Sequence, residues 1–166
     1  MIIWIIGLSG AGKTTLGKYL CAEIRKKGKA VIMLDGDEIR DLFANDLSHS
    51  LEDREKNADR IYNLGQFIAS QGIIVICPIL SIFTKHRKLN RVSKIKYYEI
   101  FIETPMDILE RRDSKGIYAK FKRGEIKNVA GKDLEFPIPS NPNLKIKNNG
   151  SIDQLLSSAN KVLNNL

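Results

Sequence analysis

The sequence predicts a doubly wound α/β fold, in which helices cover both faces of a parallel β-sheet. The first observation behind this prediction is a set of short, continuous apolar runs at residues 2–6, 30–34, 73–77 and 98–102. Runs of this length, bounded by turn residues, are typical of strands that are buried on both faces. The second observation is that segments with helical periodicity separate the runs, which favours right-handed β-α-β crossovers.

The helices are predicted from apolar periodicity and capping residues. Residues 14–27 place Leu16, Leu20 and Ile24 on one face and stop at Gly28, which suits the end of a helix. Further helices are predicted at residues 51–70 (after a Ser50 cap), 84–96, 106–112 and 151–164.

Length, charge and cysteine content bound the class of protein. At 166 residues, with 27 Lys and Arg against 19 Asp and Glu, the chain has a net charge of +8. That balance fits nucleic acid, a membrane surface or a small anionic substrate as partner. Cys21 and Cys77 are too few for a disulfide scaffold, so packing is their expected role. The first apolar run has no basic segment before it and breaks at Gly7, so we expect a cytoplasmic protein without a membrane span.

One stretch, residues 114–142, does not fit the alternation of strands and helices. It is rich in Lys, Gly and Pro, and loops of this length inside a compact domain are usually functional lids or disordered segments. We therefore expect a single domain over residues 1–166 that includes a lid at about residues 114–142.

A phosphate-binding motif follows the first predicted strand. Residues 7–14 read GLSGAGKT and fit the pattern G-x-x-x-x-G-K-[ST]. Glycines let successive backbone N–H groups converge on phosphate oxygens, Lys13 supplies a cation for the β- and γ-phosphates, and the Thr14 hydroxyl can bind Mg²⁺. The motif predicts ATP or GTP binding. The predicted nucleotide-binding residues are Gly7, Ser9, Gly10, Ala11, Gly12, Lys13, Thr14 and Thr15.

A second acidic motif closes the second predicted strand. Asp35 and Asp37 flank Gly36 at the carboxyl edge, where doubly wound sheets bind their ligands. Two carboxylates there can serve Mg²⁺ and a substrate hydroxyl. In the alternative interpretation Asp37 caps a helix that starts at Glu38.

Taken together, the motifs resemble the adenylylsulfate kinase family. The resemblance rests on residues 7–15 (GLSGAGKTT), 34–40 (LDGDEIR), 52–54 with Asn57, the lid segments 112–118 (RDSKGIY) and 124–127, and 141–144 (NPNL). It implies a P-loop kinase fold with a parallel five-stranded sheet, Mg²⁺ and ATP as phosphoryl donor, and a homodimer. It also implies transfer of the γ-phosphoryl group to the ribose 3′-hydroxyl of a small nucleotide with a modified 5′-phosphate.

The resemblance also assigns roles to residues. Asp35 is the implied Mg²⁺-linked carboxylate and candidate base, and Asp37 orients the acceptor. Arg40, Arg54 and Asn57 are implied to hold the phosphate-containing end of the acceptor. Lys115 and Lys127 are implied to close over the charges from the lid, and Arg112 is implied to lie beside the ATP adenine. Ser81 matches a family serine, for which acceptor binding is a simpler role than carrying a phosphate.

The departures from the family pattern lie around the acceptor. Aromatic positions of the family correspond to His49, Ile79 and Val129, while Glu38 and Asp41 replace other polar residues. Stacking of a base on an aromatic ring contributes ~1–3 kcal/mol. The loss of these aromatic rings therefore favours an acceptor whose nucleoside is not a purine. Cytidine diphosphoramidate, the acceptor of a branch found with capsule-sugar genes, is our first choice, and adenylylsulfate is the alternative. In a further alternative the stacking ring is supplied by Phe43, Phe83 or Phe136.

Other classes of protein fit less well. The basic run at residues 85–88 is interpreted as a solvated face that includes His86, and it lacks the interleaved aromatic residues of a nucleic-acid site. A nucleotide-switched binding module would not need Arg40, Arg54 and Asn57. We therefore expect neither a nucleic acid nor a membrane as partner.

Overall fold

A computed structural model, which describes residues 1–164, contains a five-stranded parallel sheet in the order β2-β3-β1-β4-β5. The strands are β1 (Ile2–Ile6), β2 (Val31–Met33), β3 (Ile74–Ile79), β4 (Tyr97–Glu103) and β5 (Leu144–Lys147). The predicted α/β class and the parallel five-stranded sheet are confirmed. Residues 165 and 166, the end of the expected domain, lie outside the described residues.

Helices connect the strands and cover both faces of the sheet. They are α1 (Lys13–Lys26), α2 (Gly36–Leu42), α3 (Leu51–Ser70), α4 (Thr84–Val92), α5 (Met106–Arg112), α6 (Ile117–Lys122), α7 (Ile152–Ser157) and α8 (Asn160–Leu163). At the start of α3 the Ser50 side chain accepts a hydrogen bond from the Asp53 amide, which confirms the predicted cap. Among residues 1–164, no helix combines the length and the apolar character needed to cross a membrane.

Two apolar cores lie on opposite faces of the sheet. Strand β1 shows the division, because Ile3 and Ile5 belong to one core whereas Ile2, Trp4 and Ile6 belong to the other. Successive side chains of a strand point to opposite faces, so a strand buried on both sides must be apolar throughout. This is why β1 reads as an unbroken apolar run.

The two cysteines also divide between these cores. Cys21 packs in the core beneath α1, and Cys77 packs in the core beneath α3. Both side chains are free thiols in buried positions, which confirms the predicted packing role.

Two helix predictions were wrong, and other elements were missed. The expected helix at residues 151–164 is two short helices, and α4 ends at Val92 rather than at residue 96. Strand β5 was missed because its Leu144 and Ile146 alternate with lysines instead of forming an apolar run. Helix α6, which lies within the expected lid at residues 114–142, was also missed.

Candidate active site

A cavity of about 560 Å³ opens at the carboxyl ends of the central strands. Lys13 enters it from the turn after β1, Asp35 from the turn after β2, and Ser81 from the turn after β3. Since all strands are parallel, their carboxyl ends meet at one edge, which is where ligands bind in open α/β sheets. The chain thereby gathers residues that are far apart in the sequence.

The loop between β1 and α1 has the backbone that a phosphate cradle requires. Gly10 and Gly12 have φ values of 77° and 96°, in the left-handed region that favours glycine. A Cβ at Gly12 would lie 2.7 Å from Leu155 Cδ2. The N-terminus of α1 follows at Lys13, so the positive end of a helix dipole faces the same point.

Lys13, the first residue of α1, is a cation whose pKa is lowered. Its Nζ donates a hydrogen bond of 2.9 Å to the Leu8 carbonyl. Burial, and after it the ammonium of Lys115, lowers the pKa of Lys13 to about 8, although Asp35 and Asp37 act in the opposite direction. A bound phosphate would restore the charged form.

Two side chains that sequence analysis gave no role hold the loop from outside. Asn148, directly after β5, donates from Nδ2 to the Ala11 carbonyl at 2.9 Å. Tyr118 in α6 donates its hydroxyl to the Ser9 carbonyl at 3.0 Å, and burial raises its pKa to about 12, so the donor keeps its proton. A buried Asn after an edge strand carried no recognisable signal, whereas Tyr118 belonged to a quoted motif.

Thr14 and Asp35 form a paired oxygen site beside this loop. Thr14 Oγ1 donates to Asp35 Oδ2 at 2.7 Å, and the Asp35 side chain is buried. Asp35 Oδ1 accepts from the Asp37 amide and caps α2, so the alternative assignment of this cap to Asp37 was wrong. A hydroxyl and a carboxylate are hard oxygen ligands of the kind Mg²⁺ prefers, and the pair therefore fits this ion.

The predicted acidic and lid residues face the cavity together. The exposed Asp37 carboxylate accepts a hydrogen bond from Lys115, which lies two positions before α6 and was assigned to the lid. Burial raises the pKa of Asp37, but Lys115 outweighs this effect, and the pKa ends below its ordinary value. Lys127 is exposed and lines the same cavity. These three side chains lie on different segments, and the fold brings them together.

Two arginines and an asparagine line the same cavity. Arg40 is buried and donates to the Ser48 carbonyl at 2.9 Å, while Arg54 donates through Nε to the His49 carbonyl at 2.9 Å. Asn57 donates to the Gly36 carbonyl, and its buried Oδ1 has no hydrogen-bond partner. Burial and the neighbouring arginines lower the pKa of His49, so its ring is neutral near pH 7. This group of side chains suits an anion with hydrogen-bonding groups.

Ser81 also lines the cavity and has an unusual backbone. Its φ is 55°, a left-handed value that is uncommon for a residue with a side chain. Its buried hydroxyl accepts a hydrogen bond from Trp4 Nε1 at 3.4 Å. Local strain of this kind tends to occur at functional sites.

Six predicted site residues do not line the cavity, namely Arg112, Thr15 and the loop residues Gly7, Gly10, Ala11 and Gly12. Arg112 is exposed at the end of α5 and donates to the Gly150 carbonyl at 3.4 Å. Thr15 is exposed on the first turn of α1. Gly7 acts through packing, because a Cβ there would lie 2.9 Å from the Ile102 carbonyl oxygen.

The prediction for the basic run at residues 85–88 was wrong for His86. This residue is 1% exposed, lines the cavity, and its Nε2 lies 2.8 Å from Asp59 Oδ1. Arg87 is buried as well, whereas Lys85 and Lys88 are exposed. A run of basic residues on a helix can be read as a solvated face, but α4 turns two of the four inward.

The glycine-rich loop after β1, the Thr14–Asp35 oxygen pair and the two arginines around one cavity define a P-loop kinase. Comparison with known proteins identifies the group: the profile of the family described as adenylylsulphate kinase matches residues 1–147. The chain belongs to this family, whose members are phosphotransferases that act on a hydroxyl group of a nucleotide.

Relatives and solved structures agree with this assignment. The adenylyl-sulfate kinase of Prochlorococcus marinus is 43% identical over 148 residues, which are 88% of this chain and 74% of the relative. The adenylyl-sulfate kinase of Pseudomonas aeruginosa is 37% identical, over 87% of this chain and 75% of the relative. The structure of the Mycobacterium tuberculosis APS kinase CysC in complex with AMPPNP and APS superposes with a TM-score of 0.88 at 34% identity, covering 98% of this chain and 96% of that one.

Proposed function

We propose that the protein transfers the γ-phosphoryl group of ATP to the ribose 3′-hydroxyl of a nucleotide with a modified 5′-phosphate. The observation that carries the proposal is the single cavity that joins Lys13 and Asp35 to Arg40, Arg54 and Asn57. One end suits a triphosphate and the other suits an anionic acceptor. Phosphoryl transfer depends mainly on such positioning and on neutralisation of charge.

Adenylylsulfate is the acceptor that the comparisons support best. The family profile, the curated relatives and a structure with bound APS all point to this nucleotide. Arg40 and Arg54 offer guanidinium groups, which bind pairs of phosphate or sulfate oxygens well. The product would be 3′-phosphoadenylylsulfate.

In this reaction the acceptor 3′-oxygen forms a bond to the γ-phosphorus while the bond to the β,γ-bridging oxygen breaks. Asp35 accepts the proton of the acceptor hydroxyl, and ADP leaves with the bridging oxygen. Lys13 and the loop amides stabilise the negative charge on the β- and γ-phosphates. Thr14 and Asp35 would hold Mg²⁺, which supplies further charge neutralisation when bound.

The segment at residues 114–142 acts as a lid in this proposal. Lys115 already contacts Asp37, and Lys127 lines the cavity from the same segment. Both lysines would close over the phosphates of donor and acceptor. Arg112, at the end of α5, would lie beside the ATP adenine.

A second candidate acceptor is cytidine diphosphoramidate. It is favoured by one observation: the cavity is lined by His49, Ile79 and Val129 at the positions where the resemblance places aromatic rings. A pyrimidine is smaller than a purine and needs less aromatic cover. The phosphate-binding residues are the same for both acceptors.

The test is to offer the purified protein Mg²⁺ and ATP with adenylylsulfate and, separately, with cytidine diphosphoramidate. We expect ADP release with the higher kcat/KM for adenylylsulfate, and a phosphorus NMR signal for a 3′-phosphomonoester in the product. A higher kcat/KM for cytidine diphosphoramidate would establish the second candidate instead.

Lys13→Ala serves as the control, since it removes the nearest cation from the β- and γ-phosphates and is expected to abolish turnover. Full activity of this variant would contradict the assignment of the phosphate cradle.

We further propose that the enzyme is a cytoplasmic homodimer and that residues 1–166 form one kinase domain. The dimer follows from the family resemblance. One related structure, at 26% identity and a TM-score of 0.68, is described as a hexameric APS kinase from Thiobacillus denitrificans. The match covers 99% of the present chain but only 28% of the Thiobacillus chain. Size-exclusion chromatography with light scattering would distinguish the two states.

A further inference from the structure

The acceptor base requires a face to stack against, and three phenylalanines could supply it. Phe43 lies under the guanidinium of Arg60, whose Cζ is 4.0 Å from the ring centroid. Phe136 stacks on Phe101 at a centroid distance of 6.2 Å. Neither of these rings lines the cavity, whereas Phe83 does. Within residues 1–164, Phe83 is the phenylalanine that borders this space.

The other large aromatic residues at the cavity have no open face. Trp4 is 1% exposed, and its indole N–H is bonded to Ser81. Tyr118 is 4% exposed, and its hydroxyl holds the loop after β1. Phe83 is half-buried, so one part of its ring packs on the core while another part faces the cavity.

The position of Phe83 is fixed relative to the phosphate-binding helix. It directly precedes α4, and three residues later His86 lies 2.8 Å from Asp59 on α3. The same helix α3 carries Arg54 and Asn57, the latter two positions before Asp59. The contact between α3 and α4 therefore sets the distance between the Phe83 ring and the groups that bind the acceptor phosphate.

We propose that Phe83 is the acceptor-binding residue that stacks on the acceptor base. The inference rests on the proposed function and extends it, because it assigns the base-binding face to a residue of the turn between β3 and α4. A flat apolar ring accepts the π-face of a purine or a pyrimidine alike. Phe83 thus compensates for the aromatic positions now taken by His49, Ile79 and Val129.

The test compares Phe83→Leu, which removes the ring, with Phe83→Tyr, which retains it. For the acceptor that the wild-type enzyme turns over, Phe83→Leu should raise KM about tenfold, equivalent to about 1.4 kcal/mol. The KM for ATP should change less than about twofold, because the donor binds at the other end of the cavity. Phe83→Tyr should have the same acceptor KM as the wild-type enzyme, because the ring is retained. Phe43→Leu, outside the cavity, is the matched control and should leave both KM values unchanged.

Two results would overturn the assignment. An unchanged acceptor KM in Phe83→Leu would show that the ring does not touch the base. Equal increases in the KM for ATP and for the acceptor, or a raised acceptor KM in Phe83→Tyr, would show a structural role. A wild-type enzyme that turns over neither nucleotide would overturn the proposed function together with this inference, whereas the first two results would leave that function intact.

Discussion

Asp35 is held by the local fold in a way that suits the chemistry proposed for it. One carboxylate oxygen accepts the Thr14 hydroxyl, and the other accepts the amide that starts α2. The carboxylate is therefore held in one orientation by two donors from different elements. Such preorganisation is what a group that receives a proton or binds a metal ion requires.

Replacement of Asp35 by Asn keeps the shape of the side chain and removes its charge. We expect kcat to fall by about 10²–10⁴-fold, the usual contribution of a general base, while ATP still binds. Steady-state ADP release gives kcat, and equilibrium titration with ATP gives the dissociation constant. An unchanged kcat would remove Asp35 from the mechanism.

The lowered pKa of Lys13 predicts how ATP binding depends on pH. Phosphate oxygens raise this pKa when ATP binds, so binding favours the protonated lysine. The affinity for ATP should be highest below about pH 8 and should fall as the pH rises above that value. Calorimetric titration at pH 7 and 9, in buffers of different ionisation enthalpy, should show proton uptake that is larger at pH 9.

The matched control for this measurement is Lys13→Arg, since an arginine remains charged across this range. It should bind ATP without the additional proton uptake. If the variant and the wild-type enzyme take up the same number of protons at pH 9, a group other than Lys13 is responsible.

At the residue scale, the sequence predicted the groups that belong to contiguous motifs. Lys13 and Thr14 begin the helix after β1, Asp35 lies in the turn after β2, and the motif spacing predicted the chemistry of all three. Asn148 and His86 could not be predicted, because their roles depend on contacts with residues 137 and 27 positions away along the chain. Tertiary packing, rather than local pattern, decides such contacts.

At the scale of elements, α1 begins at a point of close packing. Gly12 combines a left-handed backbone with contact to Leu155 of α7. A side chain here would face both conformational strain and overlap. The start of α1 therefore depends on the absence of a Cβ, independently of phosphate binding.

Gly12→Ala is expected to lower the free energy of unfolding by about 2–5 kcal/mol, as the sum of left-handed strain and overpacking. Gly28→Ala is the matched control, since Gly28 has a φ of 72° but no atom lies within 4 Å of an added Cβ. It should cost about 1–2 kcal/mol, from the backbone alone. Urea unfolding measures both. Equal losses would contradict the role of the contact with Leu155.

Strong periodicity allowed most elements to be predicted, and weak periodicity explains those that were missed. The bounds of α3 and α5 agree with the prediction, since the Ser50 side chain caps α3 and Pro105 directly precedes α5. Strand β5 lies at the sheet edge and exposes Lys145 and Lys147, so it lacks the apolar run of a central strand. The break between α7 and α8 has no Gly or Pro to mark it.

At the scale of the whole molecule, the positive charge matches the substrates. The chain carries a net charge of +8, and both ATP and the proposed acceptors are anions. Lysines and arginines also border the cavity, including Lys115, Lys127 and Arg54. Attraction over several ångströms should therefore increase the rate at which substrates arrive.

Raising NaCl from about 0.05 M to about 0.5 M shortens the screening length of this field. We expect kcat/KM for the acceptor to fall about threefold or more, because the encounter is slowed, while kcat changes little. Sucrose is the control, since it adds solute without ions. A kcat/KM that is independent of salt would exclude steering by the overall charge.

The two buried thiols can serve as chemical probes of unfolding. Burial raises the pKa of both Cys21 and Cys77, and one lies in each core. A reagent that alkylates thiolates will therefore react slowly with the native enzyme and rapidly once a core opens. Mass spectrometry of the labelled peptides would then report which face of the sheet separates first under denaturing conditions.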